Sequence, residues 1–282
     1  MKHFYIIPNR SKDVNLEIAN EIKREFESKS EEVSVVICDS AQYEKELHRC
    51  IPADTECILV LGGDGTLLQT AKETVHLGIP LLGINLGTLG YLAEVEPAGI
   101  PTAAEQLIAD RYVIEERMML QGGVIKGGIC AKEDIALNDV VLSRRGDLQI
   151  VGYRVYVNGL FLNDFYADGI IISTPTGSTG YNLSAGGSIV EPKANLMVLT
   201  PVCPHTLNTR SIMLSPEDNV EVELLPPKGE KQVEVGVYFD GGSCEILEAG
   251  NRVAVSRSKE VTKILKLSDV GFLEVLQKKM SE

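Results

Sequence analysis

Apolar positions follow two different rhythms along this chain. From its start to about residue 100, short continuous runs (Phe4 to Ile7, Val33 to Ile37, Ile58 to Leu61, Ile79 to Ile84) alternate with stretches of helical spacing. In the stretch Asn15 to Glu27, Leu16, Ala19, Ile22 and Phe26 recur every three or four residues with charges between them. Runs of four to six apolar residues suit strands buried on both faces, and the 3.6-residue period suits amphipathic helices. Alternation of the two predicts an α/β domain with a parallel sheet over residues 1–100.

Beyond residue 100 the rhythm changes. One helix is predicted over Thr102 to Asp110, and then short stretches such as Tyr153 to Val157, Val220 to Leu225 and Val233 to Phe239 read as strands. Turn signals stand between them at Gly122-Gly123, Gly127-Gly128 and Asn158-Gly159. Close-set strands with tight turns predict a β-rich, largely antiparallel domain over residues 101–260. A short amphipathic helix is expected from Asp269 to Lys279.

Three glycine-rich turns follow apolar runs: GGDGT from Gly62, NLGTLGYL from Asn85, and the end of GIIISTPTGSTGYNLSAGG, Gly169 to Gly187. In parallel sheets, ligands bind at the carboxyl ends of strands, where the first two turns fall. The third segment is expected to make a poor core. Its hydroxyls, exposed N–H groups and glycines suit a ligand rich in phosphate and ribose oxygens, although such residues also make ordinary surface loops. In GGDGT the residues after Asp64 open a helix, whose N-terminal N–H groups attract phosphate. An aspartate beside phosphate is repelled unless it works through a metal or accepts a proton. Asp64 therefore reads as a magnesium-linked carboxylate, as a base for an attacking hydroxyl, or as a turn-forming Asp-Gly. No Gly-Lys-Ser/Thr follows, and no G-x-G-x-x-G stands in a dinucleotide-binding context.

Composition narrows the partners. With 282 residues and 44% apolar content the chain can fill one large or two ordinary cores. A net charge of −13 argues against gripping a nucleic-acid backbone, and no apolar run is long enough to span a bilayer. MKHFYIIPNR reads as a first strand rather than a signal peptide. A soluble, cytoplasmic protein is expected, with six scattered cysteines as reduced thiols and no metal-ligand spacing among them.

GGDGT, NLGTLGYL, LNDVVLSR (Leu137 to Arg144), DGIIISTPTGSTGYNLSAGG (Asp168 to Gly187) and TPVCPHTLNTRSIML (Thr200 to Leu214) occur in the order found in NAD kinases. The chain resembles that family over roughly residues 55 to 245. GGDGT alone is shared with lipid kinases and phosphofructokinase-like enzymes; STPTGSTGY and PHTL make the match specific.

The resemblance implies transfer of a phosphoryl group from ATP, or polyphosphate, to the 2′-hydroxyl of the adenosine ribose of NAD. It implies Mg²⁺ or another divalent cation, a homodimer or homotetramer, an active site in the cleft between domains, and a final segment, 261–282, packed back on the first domain. Asp64 matches the catalytic aspartate, with Gly65 and Thr66 beside the phosphates. Tyr91, where Phe is usual, either stacks on adenine or packs.

Asn138 and Asp139 match an Asn-Glu pair that holds ribose hydroxyls; the shorter Asp139 reaches less far. Asp168 is expected near the nicotinamide, across a subunit interface. Thr176, Ser178, Thr179, Tyr181 and Ser184 would supply hydroxyls, and Gly180 replaces a usual Ala. His205 is expected to hydrogen-bond its own loop, Arg210 suits a phosphate or a surface ion pair, and Gly241 and Gly242 leave donor preference open. Two alternatives stand beside this reading: a GGDGT-type lipid or small-molecule kinase, and a non-catalytic dinucleotide-binding sensor.

Overall fold

The computed structural model describes residues 1–282 except 39–46, 88–89, 147, 207–209, 228–232, 243, 269 and 282, and the side chains of 47 and 48. Thr88 and Leu89 of the second glycine turn, residues 207–209 after PHT, and Asp269 therefore lie outside the described residues. The chain divides into two compact units, Met1–Arg117 with Val261–Glu282, and Met118–Glu260.

The first unit runs β1 (His3–Pro8), α1 (Glu17–Lys29), β2 (Ser34–Ile37), α2 (Leu47–Cys50), β3 (Cys57–Gly62), α3 (Asp64–Thr74), β4 (Leu81–Asn85) and α4 (Ile100–Ile108). Its strands pair in the order β2-β1-β3-β4, all parallel. Residues of β3 are buried throughout, as a strand covered on both faces must be. Helix α1 starts two residues later than its periodicity predicts because Leu16 adopts a left-handed conformation (φ 56°). The Asp13 carboxylate satisfies the first turn instead, accepting N–H bonds from Ile18 (3.2 Å) and Ala19 (2.9 Å).

Ala19, Ile22 and Phe26 form the buried stripe of α1, with Phe26 edge-on to Phe4 at 4.9 Å. Burial of a side chain of that size stabilises by about 1.5–3 kcal/mol. Helix α4 joins the same core through Ile100, Ala103, Ala104 and Leu107, so it belongs with the first unit although it lies past residue 100.

The second unit is built from two sheets. Strands β5 (Val113–Lys126), β6 (Ile129–Ala136), β7 (Asp139–Arg145), β8 (Val151–Val157), β9 (Leu160–Ala167) and β10 (Gly169–Ser173) lead to a 3₁₀ turn at Thr176–Thr179 and a single helical turn, α5 (Tyr181–Ser184). Then follow β11 (Met197–Val202), β12 (Ile212–Leu214), β13 (Val220–Leu224), β14 (Glu234–Phe239), β15 (Glu245–Leu247) and β16 (Arg252–Lys266). One sheet has the order β12-β11-β10-β7-β14-β15 and is antiparallel. In the other, β16, β13, β8 and β9 pair antiparallel in that order, with β5 against β16 and β6.

Alternate residues of each strand meet in one core: Tyr153, Val155, Val222 and Val253 from one sheet, and Val140, Leu142, Ile170, Ile172, Val235 and Val237 from the other. Ile171 points the opposite way, onto Val141 and Val202, so β10 is buried on both faces.

The last residues of β16 return to the first unit, where Ile264 pairs with Leu81 of β4. Helix α6 (Phe272–Met280) follows, and Gln106 of α4 donates to the Leu267 carbonyl at 3.0 Å. Glu94, buried in the first unit, pairs with Lys266 and accepts N–H bonds from Leu267 (3.2 Å) and Ser268 (3.0 Å). No helix among the described residues is long and apolar enough to cross a membrane.

Candidate active site

Asp64 is the first residue of α3, where β3 ends. The strand–turn–helix geometry points the free N–H groups of the helix outward, and an acidic residue in that first turn complements the helix dipole. Its carboxylate is held by the second glycine turn: Oδ2 accepts from the Tyr91 N–H at 2.9 Å and Oδ1 from the Leu92 N–H at 3.2 Å. Gly90 makes this approach possible, since a methyl group there would stand 1.9 Å from Asp64 Oδ1. The two motifs that the sequence places at carboxyl ends of strands lie on paired strands, β3 and β4, and are one hydrogen-bonded structure. Gly65 is exposed, and Thr66 is half-buried with its hydroxyl accepting from Asn9 Nδ2 at 2.9 Å. The Tyr91 ring lies 6.3 Å from Phe272 of α6, with the Lys279 ammonium 4.4 Å from its centroid.

The second unit gathers a separate set. Asn138 and Asp139 open β7, and Asp240 follows β14, its antiparallel neighbour. With φ at 51°, Asp240 turns its carboxylate back over the start of β7. It accepts N–H bonds from Leu137 (2.7 Å), Asn138 (2.7 Å) and Asp139 (3.1 Å), and its own N–H bonds the Asp139 carbonyl at 3.0 Å. Three backbone N–H donors thus converge on one carboxylate.

Asp139 beside it has no such help. Only 6% exposed, its carboxyl is pushed up to about 7, first by burial and then by the charge of Asp240. A direct reach from Asp139 to a ribose is therefore short of room as well as of length. Asn138 differs: its side-chain Oδ1 is buried with no hydrogen-bond partner. An orphaned amide oxygen in a site calls for a donor from a ligand.

The STPTGSTGY segment corrects one expectation. It is core, not a loop of free hydroxyls: Ser173, Thr174, Thr176 and Ser178 are buried, and the hydroxyls of Ser173, Thr174 and Ser178 are bonded to neighbouring groups. Thr174 Oγ1 donates to the Leu137 carbonyl at 2.6 Å, and Ser178 Oγ donates to Pro175 O at 2.7 Å while accepting the Val190 N–H at 2.9 Å. Ser178 is thereby a structural hydroxyl rather than a nucleotide contact. The segment packs directly on the Asn138 backbone: Thr174 N–H bonds its carbonyl at 2.8 Å, and a methyl at Gly177 would lie 2.2 Å from the same oxygen.

Thr179 and Gly180 are half-buried, and Tyr181 and Ser184 are exposed. A methyl at Gly180 would stand 3.5 Å from Asn138 Nδ2, so Asn138, Thr176, Thr179 and Gly180 form one neighbourhood.

Asp168 lies elsewhere in the unit. It pairs with Arg144 Nε at 2.7 Å, and both line a cavity of about 460 Å³ with Gln149, Cys203 and His205. His205 is tied by its backbone N–H to Tyr166 of β9 at 2.8 Å, and its ring is exposed at this cavity. Arg210 is exposed. Among the described residues no group of three or more His, Cys, Asp or Glu is arranged to hold a metal.

Asp240 and Gly90 are missing from the sequence-based set. The signals were present: an Asp-Gly-Gly step at a strand end for the first, and a glycine immediately before Tyr91 for the second.

Known proteins match this arrangement along the whole chain. Residues 5–112 match the ATP-NAD kinase N-terminal domain and residues 137–267 the ATP-NAD kinase C-terminal domain. An NAD kinase of Agathobacter rectalis is 46% identical, over 99% of each chain, and one of Lachnoclostridium phytofermentans is 42% identical over 100% of each. In fold, the chain is similar to yeast NADH kinase complexed with NADH (TM-score 0.84, 23% identity, covering 100% of this chain and 88% of that one). An Archaeoglobus fulgidus NAD kinase in complex with ATP gives a TM-score of 0.74 at 20% identity, covering 100% and 99%. The sequence relatives span both units, the motifs stand where the geometry needs them, and the chain belongs to the NAD kinase family.

Proposed function

We infer that this protein is an NAD kinase that transfers the terminal phosphoryl group of ATP, or of polyphosphate, to the 2′-hydroxyl of the adenosine ribose of NAD, giving NADP. The observation that carries the residue assignment is Asp64, a carboxylate fixed by two backbone N–H groups at a helix start that favours phosphate. Those bonds occupy one lone pair on each oxygen and leave others for a substrate hydroxyl. Asp64 orients that hydroxyl and receives its proton as the oxygen attacks phosphorus in line. Phosphoryl transfer is governed by positioning, so the fixed rotamer matters more than high basicity. Family membership removes the lipid-kinase alternative, for which only GGDGT spoke.

Asn138 supplies the binding counterpart. Its unpartnered Oδ1 accepts from a ribose hydroxyl or an adenine amine, with Thr176, Thr179, Gly180, Tyr181 and Ser184 shaping the surroundings. Asp139 follows Asn138 at the start of β7, and Asp168 serves the nicotinamide end. Gly65 and Thr66 bound the phosphates, and Tyr91 closes that side. Mg²⁺ or another divalent cation would be bound mainly by the phosphates of the substrate, where it would supply charge neutralisation.

Six cysteines with no disulfide between them fit a reducing, cytoplasmic compartment. The exposed Leu160 and Phe161 of β9 suit burial in a homodimer or homotetramer.

The test is NADP formation by purified protein with NAD, Mg²⁺ and either ATP or polyphosphate. NADP from wild type and its loss in Asp64→Asn with NAD binding retained would support the assignment. A folded Asp64→Asn variant with near-normal turnover would remove Asp64 from the chemistry.

A further inference from the structure

The loop after β1 carries a lysine that the reaction described so far does not use. Asn9 ties this loop to the GGDGT turn at two points: its N–H bonds the Leu61 carbonyl at 2.7 Å, and its Nδ2 donates to Thr66 Oγ1 at 2.9 Å. The loop is also stiffened from within. Asn9 Oδ1 accepts from the Ser11 N–H (3.0 Å) and hydroxyl (2.7 Å), and the Asn9 carbonyl accepts the N–H groups of Lys12 (3.0 Å) and Asp13 (2.9 Å). Asp13 in turn holds the start of α1. The backbone of Lys12 is therefore fixed to the same turn that presents Asp64.

From there the Lys12 side chain reaches across the carboxyl ends of two neighbouring strands. A methyl group at Gly87, beyond β4, would lie 2.8 Å from Lys12 Nζ, and one at Gly63, which caps α3, would lie 3.8 Å away. The ammonium thus stands in front of a helix N-terminus, where the dipole opposes a cation and favours an anion. It forms no ion pair with a described residue. Asp64, the acidic group of the same turn, directs its oxygens to Tyr91 and Leu92 instead. Lys12 is exposed, and the lack of side chains at Gly63 and Gly87 lets its ammonium lie close to both backbones. A cation tethered by its own loop, unpaired, against a surface that repels it, is placed for an anion that arrives from solution.

Resting on the NAD kinase reading, we propose that Lys12 binds the phosphate chain of the phosphoryl donor, holding it against the start of α3 beside Asp64. The contact is to phosphate oxygens and not to a base, so it serves ATP and polyphosphate alike. The pyrophosphate of NAD offers the same chemistry, and steady-state kinetics separates the two sources.

In Lys12→Met, KM for ATP and for polyphosphate should each rise at least tenfold and kcat should fall, with KM for NAD within twofold of wild type. Lys12→Arg should restore most of the donor KM. Calorimetry with Mg-tripolyphosphate supplies a readout independent of turnover, with binding to wild type at least tenfold tighter than to Lys12→Met. A rise confined to KM for NAD, unchanged donor KM, or equal tripolyphosphate affinity in a folded Lys12→Met variant would overturn the proposal. Wild-type protein that binds tripolyphosphate through Lys12 but forms no NADP would sink the kinase reading and leave the Lys12 site standing. Failure of wild type to bind tripolyphosphate would overturn the site itself.

Discussion

Asp139→Asn should make this protein more stable in alkaline solution and leave it unchanged in acid. The Asp139 carboxyl is pushed up to about 7 in the folded chain, by burial first and the Asp240 charge second. In an unfolded chain it titrates near 3.9, and each unit of difference is about 1.4 kcal/mol. The sign follows from which state holds the proton. Well below pH 4 both states are protonated and the folded state bears no penalty; between about pH 4 and the folded value of about 7 the folded state retains a proton that the unfolded state has lost, so stability falls across that window and levels off above it.

Roughly three units of difference correspond to about 4 kcal/mol above pH 8, and relaxation around a buried charge lowers this to about 2–4 kcal/mol. Asparagine has no charge to bury and keeps an N–H donor, so it escapes that loss. Urea unfolding of wild type and Asp139→Asn at pH 4.5 and pH 8.5 measures it. The variant should gain about 2 kcal/mol or more at pH 8.5 and about 1 kcal/mol or less at pH 4.5. An equal difference at both values would mean that Asp139 ionises like a solvated carboxylate, and the argument from burial would fail. The one other acidic group in this turn, Asp240, accepts three backbone N–H bonds.

Other perturbations act on the same two carboxylate turns. Asp64→Asn should keep NAD binding within a few-fold, by calorimetry, while turnover falls by a factor of about 10²–10⁴, the usual worth of a positioned acid–base group. Gly90→Ala introduces a methyl 1.9 Å from Asp64 Oδ1, so the carboxylate must leave its two N–H donors. Turnover should fall at least tenfold with the thermal midpoint little changed, and unaltered kcat would show that this rotamer is not required. Gly177→Ala drives a methyl to 2.2 Å from the Asn138 carbonyl. Displacing that strand end should cost about 1–3 kcal/mol of stability, as overpacking does, and raise KM for NAD. Near-wild-type values of both would deny that this contact sets Asn138.

How much of this was legible in sequence depended on whether the pattern was local. Strand β3 and the stripe Ala19, Ile22 and Phe26 of α1 follow from periodicity, since burial of a repeating face is what their neighbours impose. Helix α1 began late because Leu16 in a left-handed conformation and the Asp13 side chain together set the boundary, and neither leaves a mark in hydrophobic spacing. The STPTGSTGY segment misled for a related reason. Its hydroxyls look exposed in sequence, yet their acceptors are carbonyls of Leu137 and Pro175 that only the packed sheet brings within reach. Asp240 was hidden by distance along the chain, being about a hundred residues from the N–H groups that it binds.

The two aspartate turns explain why the motifs of this chain are separated in sequence yet short. In each, a carboxylate gathers backbone N–H groups from a distant loop: Asp64 from Tyr91 and Leu92, Asp240 from Leu137, Asn138 and Asp139. The first carboxylate retains free lone pairs at a half-buried helix start, so it can meet a substrate. The second holds three donors at the start of β7 and lends its field to Asp139, beside the unpartnered Asn138 Oδ1. Removing the first charge should therefore act on kcat, whereas removing the second should act on KM for NAD and on the pH dependence of folding. Asp240→Asn provides that separation: a fall in kcat alone, with KM and the pH–stability curve of wild type, would refute the division of roles.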